Sequence, residues 1–535
     1  MLSVLPEALP RQIPLIHIVE TDDRFLSESD VSWFRILRDL DWRPLVPVAV
    51  QYYEALWAFN QQQLLERLKR KTEAPVPNPE TKEQARQRTL LERPTLDPSQ
   101  PVILPVEANL REPLHVDPRT VGPGQVPARF RGRRPKDFFA MSKAFLGVVL
   151  MGRPAEPDLV HQELGNNPAF ARTCGFTLPD PLVGYRASDL PSLRKLQQFD
   201  QIMTANGLWG HLAVDQVRRN LKSGKLKLSP LAVHDTTHHE AWSTMEIPEI
   251  EGKTKKGKPV RKSHPRITKS CRCKPWQDCP HDWVSADVGA GTVVKTGRKM
   301  YWAHKASIIA LVVGDIEIPL DAAAMTDGAT HDSRSLPAHL QRIQTLYPAV
   351  LDKIEILLDD SALDGKKLRP KIKEEFGIDL RVERNFRRRK AIVDDLPRGI
   401  DRILPRGTPV CRAGFPFDLV GVRNDMKHFL FSAPDGEGGA PACTGCTLRD
   451  GCIRTGAERR HLSIPFKRLP FLDPELPHLS KRFQQQMANR TMIERINKLM
   501  KFDYGSHRLT KRGTAAYQAT LDKTVLAMHV VLASG

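Results

Sequence analysis

Near the C-terminus the chain reads Arg490-Thr491-Met492-Ile493-Glu494, followed by Lys501. At about 100° per residue on a helix, Arg490, Glu494 and Lys501 fall within roughly 40° of one another. Met492, Ile496 and Met500 lie on the other side, where they can pack. One face therefore carries a carboxylate bracketed by two cations, and the other is apolar. A carboxylate held this way suits a site that binds a divalent metal beside a phosphodiester, because the cations also grip phosphate. A solvated face with i,i+4 charge pairing has the same spacing, so the helix reads as chemistry only if other residues join it.

Two further carboxylates stand at strand ends. Leu231-Ala232-Val233-His234-Asp235-Thr236-Thr237 is a short apolar strand that ends in an acid and two threonines. Ile354-Glu355-Ile356-Leu357-Leu358-Asp359-Asp360 is a second apolar strand running into acids. Strand alternation puts Asp235 on a face with Leu231 and Val233, and Asp360 on a face with Ile354, Ile356 and Leu358. Between them, Ala306 to Val313 and Ile316 to Leu320 flank Gly314-Asp315, a two-residue hairpin signal. A helix over Gly365 to Gly377 and a strand over Ile378 to Glu383 follow. Strand with acid, hairpin, strand with acid, helix and strand is the order of a ribonuclease-H-like core, an α/β fold with a mixed sheet.

With the C-terminal helix added, the chain resembles the DDE transposases of insertion sequences that carry a Y-x2-R-x3-E-x6-K motif. Asp235 in Val233 to Thr237 matches the family's first aspartate, Asp360 the second, and Glu494 its glutamate, with Arg490 and Lys501 as partners. Trp302 to Ala306 is similar to a strand element of the family whose lysine would be Lys305, and Thr330 to Ser333 to the His-Asp after the hairpin. The motif's tyrosine position is Met487 here, a departure from the pattern. The resemblance covers roughly residues 140 to 535.

That resemblance implies a DNA transposase in which Asp235, Asp360 and Glu494 hold two Mg²⁺ ions, or Mn²⁺ in their place, for strand cleavage at element ends and strand transfer into target DNA. Lys305, Arg490 and Lys501 would contact phosphates, as would the basic run Arg387, Arg388, Arg389 and Lys390. Its partners would be double-stranded DNA, both terminal inverted repeats and target, bound by a homo-oligomer in the cytoplasm at the nucleoid. The rival readings are a catalytically inactive DNA-binding descendant and a stand-alone nuclease of the same fold.

Composition agrees with a polyanionic partner. Lys and Arg number 81 against 62 Asp and Glu, a formal charge of +19 over 535 residues. No apolar run approaches the ~18 residues of a membrane-spanning helix, and Met1 to Glu20 lacks the basic start of a secretory signal. No membrane partner is expected. The chain divides into an N-terminal helical region (1–72), a proline-rich linker (73–136) and a helical region suited to DNA end binding or to bracing the core (137–228). The first part of the catalytic core follows (229–400, with a basic, cysteine-rich loop over 245–300), then an insertion (401–470) and the C-terminal helical part that carries the glutamate (471–535).

The chain has eight cysteines. Cys411, Cys443, Cys446 and Cys452 include a Cys-x2-Cys knuckle and offer four thiolates, enough for a tetrahedral structural zinc; unligated buried thiols are the alternative. Cys271, Cys273, Cys279 and His281 form a second set with a tighter Cys-x-Cys spacing. His238, His239 and Glu240 read as a polar cap on the first strand. No serine–histidine or cysteine–histidine pattern competes with the carboxylates, and no Walker-type glycine loop is present.

Overall fold

The computed structural model describes residues 28–72, 114–127, 135–176, 190–243, 245–246, 284–285, 287, 289–295, 299–324, 328–364, 367–383, 386, 390–436, 439–507 and 509–534. The chain separates into two compact units, residues 1–216 with 522–535, and residues 217–521. The sequence division sets its boundary at 228/229 and keeps the last helix with the core.

The first unit is helical. Helices α1 (Glu28–Asp39), α2 (Val46–Thr72), α3 (Phe138–Leu150), α4 (Pro157–Asn166), α5 (Pro168–Cys174) and α6 (Leu193–Ala205) lie within it, with the start of α7 (Leu208–Lys222). On α2, Tyr53, Leu56 and Trp57 are buried, while Leu64 is 41% exposed. Asp137 caps α3 by accepting from the backbone N–H groups of Phe139 and Ala140. Nearly every residue of α3 is buried, so this helix is core. Tyr52, Phe138, Phe145, Phe199 and Trp209 pack against one another, tilted or stacked. Lys523 reaches into this aromatic core, 2.6 Å from Asp200 Oδ1 and 4.9 Å from the Trp209 ring centre.

The second unit is a mixed α/β structure built on a six-stranded sheet. Its strands are β1 (Leu231–Glu240), β4 (Gly291–Lys295), β5 (Lys299–Leu311), β6 (Asp321–Ala324), β7 (Ile356–Asp359) and β8 (Asp379–Val382); two short strands, β2 (Met245–Glu246) and β3 (Val284–Ser285), pair apart from it. β1 is antiparallel to β5 and parallel to β7, which is parallel to β8. β4 and β6 both pair antiparallel with β5, along successive stretches of it. β1 is thus central, and Ala232, Val233, Leu357 and Leu358 are completely buried. Helix α8 (Asp332–Leu346) precedes the short α9 (Pro348–Leu351), and α10 (Leu368–Phe376) makes the crossover from β7 to β8. Gly377, at φ 74°, closes α10 in the left-handed conformation that glycine tolerates best.

The hairpin differs from expectation. Gly314-Asp315 does turn the chain, with a bridge between Val313 and Ile316, but the returning strand pairs over Asp321–Ala324 instead of Ile316 to Leu320. β1 also runs on to Glu240 instead of ending at the acid and threonines. Pairing with the long β5 satisfies its backbone as far as Glu240, and buried partners take its polar side chains.

Residues 400–465 form a small β module: β9 (Ile400–Ile403) with β10 (Pro409–Cys411), and the antiparallel sheet β11 (Asp418–Arg423), β12 (His428–Ser432), β13 (His461–Pro465). It has its own core, centred on Phe417, Phe429, Phe431, Ile464 and Leu469. After it come α11 (Lys481–Ala488), α12 (Thr491–Lys498), a π-helical turn (Leu499–Asp503) and α13 (Thr514–Ser534), whose first residues belong to this unit.

Candidate active site

Two of the three expected carboxylates come from neighbouring parallel strands, Asp235 on β1 and Asp360 just past the end of β7. Ala232 lies opposite Leu357 and Val233 opposite Leu358. One step further, His234 Nδ1 bonds directly to Asp359 Oδ2. Strand alternation puts Asp235 on the opposite face of β1 from His234, and the Asp360 charge, from just past the end of β7, acts on it. Asp360 lies just beyond the end of β7, where its Oδ1 accepts from the N–H of Ala362 at 2.8 Å. Burial pushes the Asp235 carboxyl up to about 6; the His234 charge opposes this, and the Asp359 and Asp360 carboxylates add to it. Two oxygen donors with a disfavoured shared charge fit a hard divalent cation, which would restore the ionised form.

Helix α12 packs against β1. Its buried side is Met492, Ile493 and Ile496, with Met500 following, as the apolar stripe requires. The polar side meets the strand through Lys501, from the expected set, and through Asn497, outside it. Asn497 donates from Nδ2 to Asp235 Oδ2 at 2.8 Å. Lys501 bonds Thr237 Oγ1 and the carbonyl of His238, the latter at 2.9 Å. Glu494 is not set against Asp235: it accepts from Arg490 Nη2 at 2.7 Å and its side chain is 57% exposed. Met487, in the tyrosine position, is buried in α11.

Lys305 lies away from these groups. It is paired with His238 in the β1–β5 register, on the other face of the sheet from Asp235, and is 5% exposed. Its ammonium is bound by the Thr330 carbonyl and, at 2.8 Å, by Asp332 Oδ1, which also accepts from Thr236 Oγ1. This lysine holds the start of α8 to the sheet and does not face the Asp235 side. His331 caps α8 by accepting from the Ser333 N–H. His239, read as part of a strand-end cap, is an interior strand residue that accepts from Tyr517 at 2.6 Å.

Beneath the carboxylates runs a buried polar chain. His234 Nε2 donates to Ser307 Oγ at 2.8 Å, Ser307 donates to His339 Nδ1 at 2.8 Å, and His339 Nε2 donates to Asp321 Oδ2 at 3.1 Å. Arg342 closes it with two bonds to Asp321. Burial alone would strip His234 of its proton, but Asp359 reverses this and holds its pKa above the ordinary value. Burial keeps His339 below its ordinary value despite Asp321. A charged His234 and a neutral His339 give every donor in the chain an acceptor.

Cys411, Cys443, Cys446 and Cys452 line one cavity of about 380 Å³, ringed by Arg398, Arg412, Arg449 and Arg460. The backbone approaches closely at Gly399, where a Cβ would stand 3.0 Å from Cys452 Sγ. Arg460 braces the wall by bonding the carbonyls of Cys452 and Arg398. The donor set suits zinc in its chemistry, and the arginines suit the negative charge of thiolates. Among the described residues, however, no three His, Cys, Asp or Glu side chains stand close enough to share a metal, here or at Asp235. Cys271, Cys273, Cys279, His281 and Arg387 to Arg389 lie outside the described residues, and Lys390 is exposed.

Neither Asn497 nor the His234–Asp359 pair figures in the sequence reading. Asn497 was findable: Arg490, Glu494, Asn497 and Lys501 form one stripe at spacings of four, three and four. Comparison with protein-family models and with curated proteins finds no match for the chain. Among the described residues, no helix is long and apolar enough to cross a membrane.

Proposed function

We propose that this chain is an insertion-sequence DNA transposase, with a ribonuclease-H-like core that cleaves DNA at element ends and transfers the strand to target DNA. One observation carries the reading: Asp235 stands on β1 and Asp360 just past the end of its parallel neighbour β7, and α12 packs on β1 with Asn497 bonded to Asp235. The strand order, antiparallel on one side of β1 and parallel on the other, supports it, as does the net charge.

Asp235 and Asp360, with Glu494 from α12, would hold Mg²⁺, which supplies activation of the attacking oxygen and stabilisation of the leaving oxygen. The chain's own residues do the rest. Lys501 anchors α12 on β1, so the helix presents its polar face beside Asp235. Arg490 keeps a cation at the edge of that face, where a phosphate oxygen of bound DNA can replace Glu494 as its partner. His234 fixes Asp359 and with it the end of β7, from which Asp360 projects. We further assign a structural zinc to Cys411, Cys443, Cys446 and Cys452.

A catalytically inactive DNA-binding descendant is the second reading; the exposed Glu494, paired with Arg490, favours it. The test is single-turnover cleavage and joining, in Mg²⁺, of duplexes carrying the DNA that flanks the coding sequence. The wild-type chain should cleave and join, and Asp235→Asn or Asp360→Asn should retain DNA in gel shifts while losing at least about a thousandfold in rate. Wild-type rates in both variants would refute the mechanism. Binding without cleavage by the wild type would establish the second reading.

A further inference from the structure

Asn497 on α12 is hydrogen-bonded to Asp235, and its amide is only half used. Nδ2 donates to Asp235 Oδ2, while Oδ1 is buried and, among the described residues, accepts no hydrogen bond. A buried amide oxygen without a donor is costly. The orientation that creates it is the one that avoids placing Oδ1 against a carboxylate. The unsatisfied atom belongs to the same amide that holds the Asp235 carboxylate, so a cation seated there would meet both oxygens.

We propose that the Asn497 amide oxygen is a ligand of the divalent cation held by Asp235. This rests on the metal-dependent reading above and adds to it a neutral oxygen donor from the helix. Hard divalent cations accept amide carbonyl oxygens alongside carboxylates, and a neutral donor completes a shell without adding charge to an already acidic site. The position follows from the fold: Met492, Ile493 and Ile496 seat α12, Lys501 ties its end to His238, and Asn497 lies between these anchors. Glu494, one turn earlier on the same face, remains the outer carboxylate.

Mn²⁺ binding to the full-length chain, without DNA, followed by electron paramagnetic resonance, tests the assignment. Asn497→Ala and Asn497→Leu should each weaken Mn²⁺ binding about tenfold or more, with unchanged circular dichroism. Asn497→Asp retains the oxygen but replaces the N–H donor with a group that repels Asp235, so it should bind Mn²⁺ at least as tightly as wild type. Loss of binding in Asn497→Asp would mean that the amide acts only by orienting Asp235, and would overturn the proposal. Wild-type affinity in Asn497→Ala, with Asp235→Asn unable to bind, would also overturn it while leaving the functional reading intact. A wild-type chain that binds no Mn²⁺ at millimolar concentration would overturn both.

Discussion

Arg490 donates through Nη2 to Glu494 Oε1 at 2.7 Å, yet the two side chains are unequally placed: arginine 17% exposed, glutamate 57%. The arginine is packed at the start of α12, whereas the carboxylate extends into solvent. Such an i,i+4 pair contributes about 0.3–0.5 kcal/mol to stability. Glu494→Gln should therefore leave urea-unfolding stability within about 0.5 kcal/mol of wild type and still abolish single-turnover cleavage. Normal cleavage by this variant would return the Arg490–Glu494 face to a solvated charge array.

Lys501 behaves oppositely. Its ammonium is bound to Thr237 Oγ1 and to the His238 carbonyl, joining the π-helical turn to β1. Hydrogen bonds to charged groups contribute about 1.5–3 kcal/mol, so Lys501→Met should lose stability in that range. Lys498→Met, at an exposed position on the same helix, should change it by under about 0.5 kcal/mol. Equal effects in the two variants would show that Lys501 does not anchor the helix.

The strands and helices of the core were legible because their burial is periodic. Leu231 to Val233 and Ile356 to Leu358 are apolar runs that can only be interior strands, and the 492/496/500 stripe gives α12 its orientation. Gly377 marks the end of α10. What could not be read was pairing. The β5–β6 register places Asp321 and His339 in one buried chain and turns Lys305 away from Asp235, and neither follows from local spacing. The polar half of β1 reads as a strand end until β5 is known to pair along it to Glu240. Alternation sets the faces of Asp235 and Asp360, and Asn497 was open to reading from the stripe on which it sits. Glu494 turns to Arg490 and solvent, a local competition that sequence does not resolve.

Asp321 supplies a pH dependence. Burial would raise its pKa, but the His339 N–H and the Arg342 guanidinium outweigh this and lower it to about 2. A carboxyl depressed in the folded state contributes stability above its unfolded value near 3.9, and that contribution is lost as pH falls toward 2. Its size is about 2–3 kcal/mol. The stability gap between wild type and Asp321→Asn should be widest above pH 5 and narrow steadily between pH 4 and 2 in urea titrations. A gap constant across that window would show that the Asp321 charge is not what holds Arg342 and His339.

The cysteine cavity gives the last prediction. Four thiols from two separate stretches, Cys411 and Cys443 to Cys452, line one space within a module whose own core is modest. Thiolate coordination would join the β9–β10 pair to the turns after β12, segments that Arg460 also bridges by bonding the carbonyls of Cys452 and Arg398. Metal binding and folding of the module should then be one process. Purified protein should carry about one equivalent of zinc from this set. Cys443→Ser with Cys446→Ser should lose it, and a chelator should increase proteolysis within 400–465 while leaving the six-stranded sheet protected from hydrogen exchange. Zinc-free protein whose module resists proteolysis equally with and without chelator would show that these are ordinary half-buried thiols, and that Phe429, Phe431 and their neighbours suffice to hold the module together.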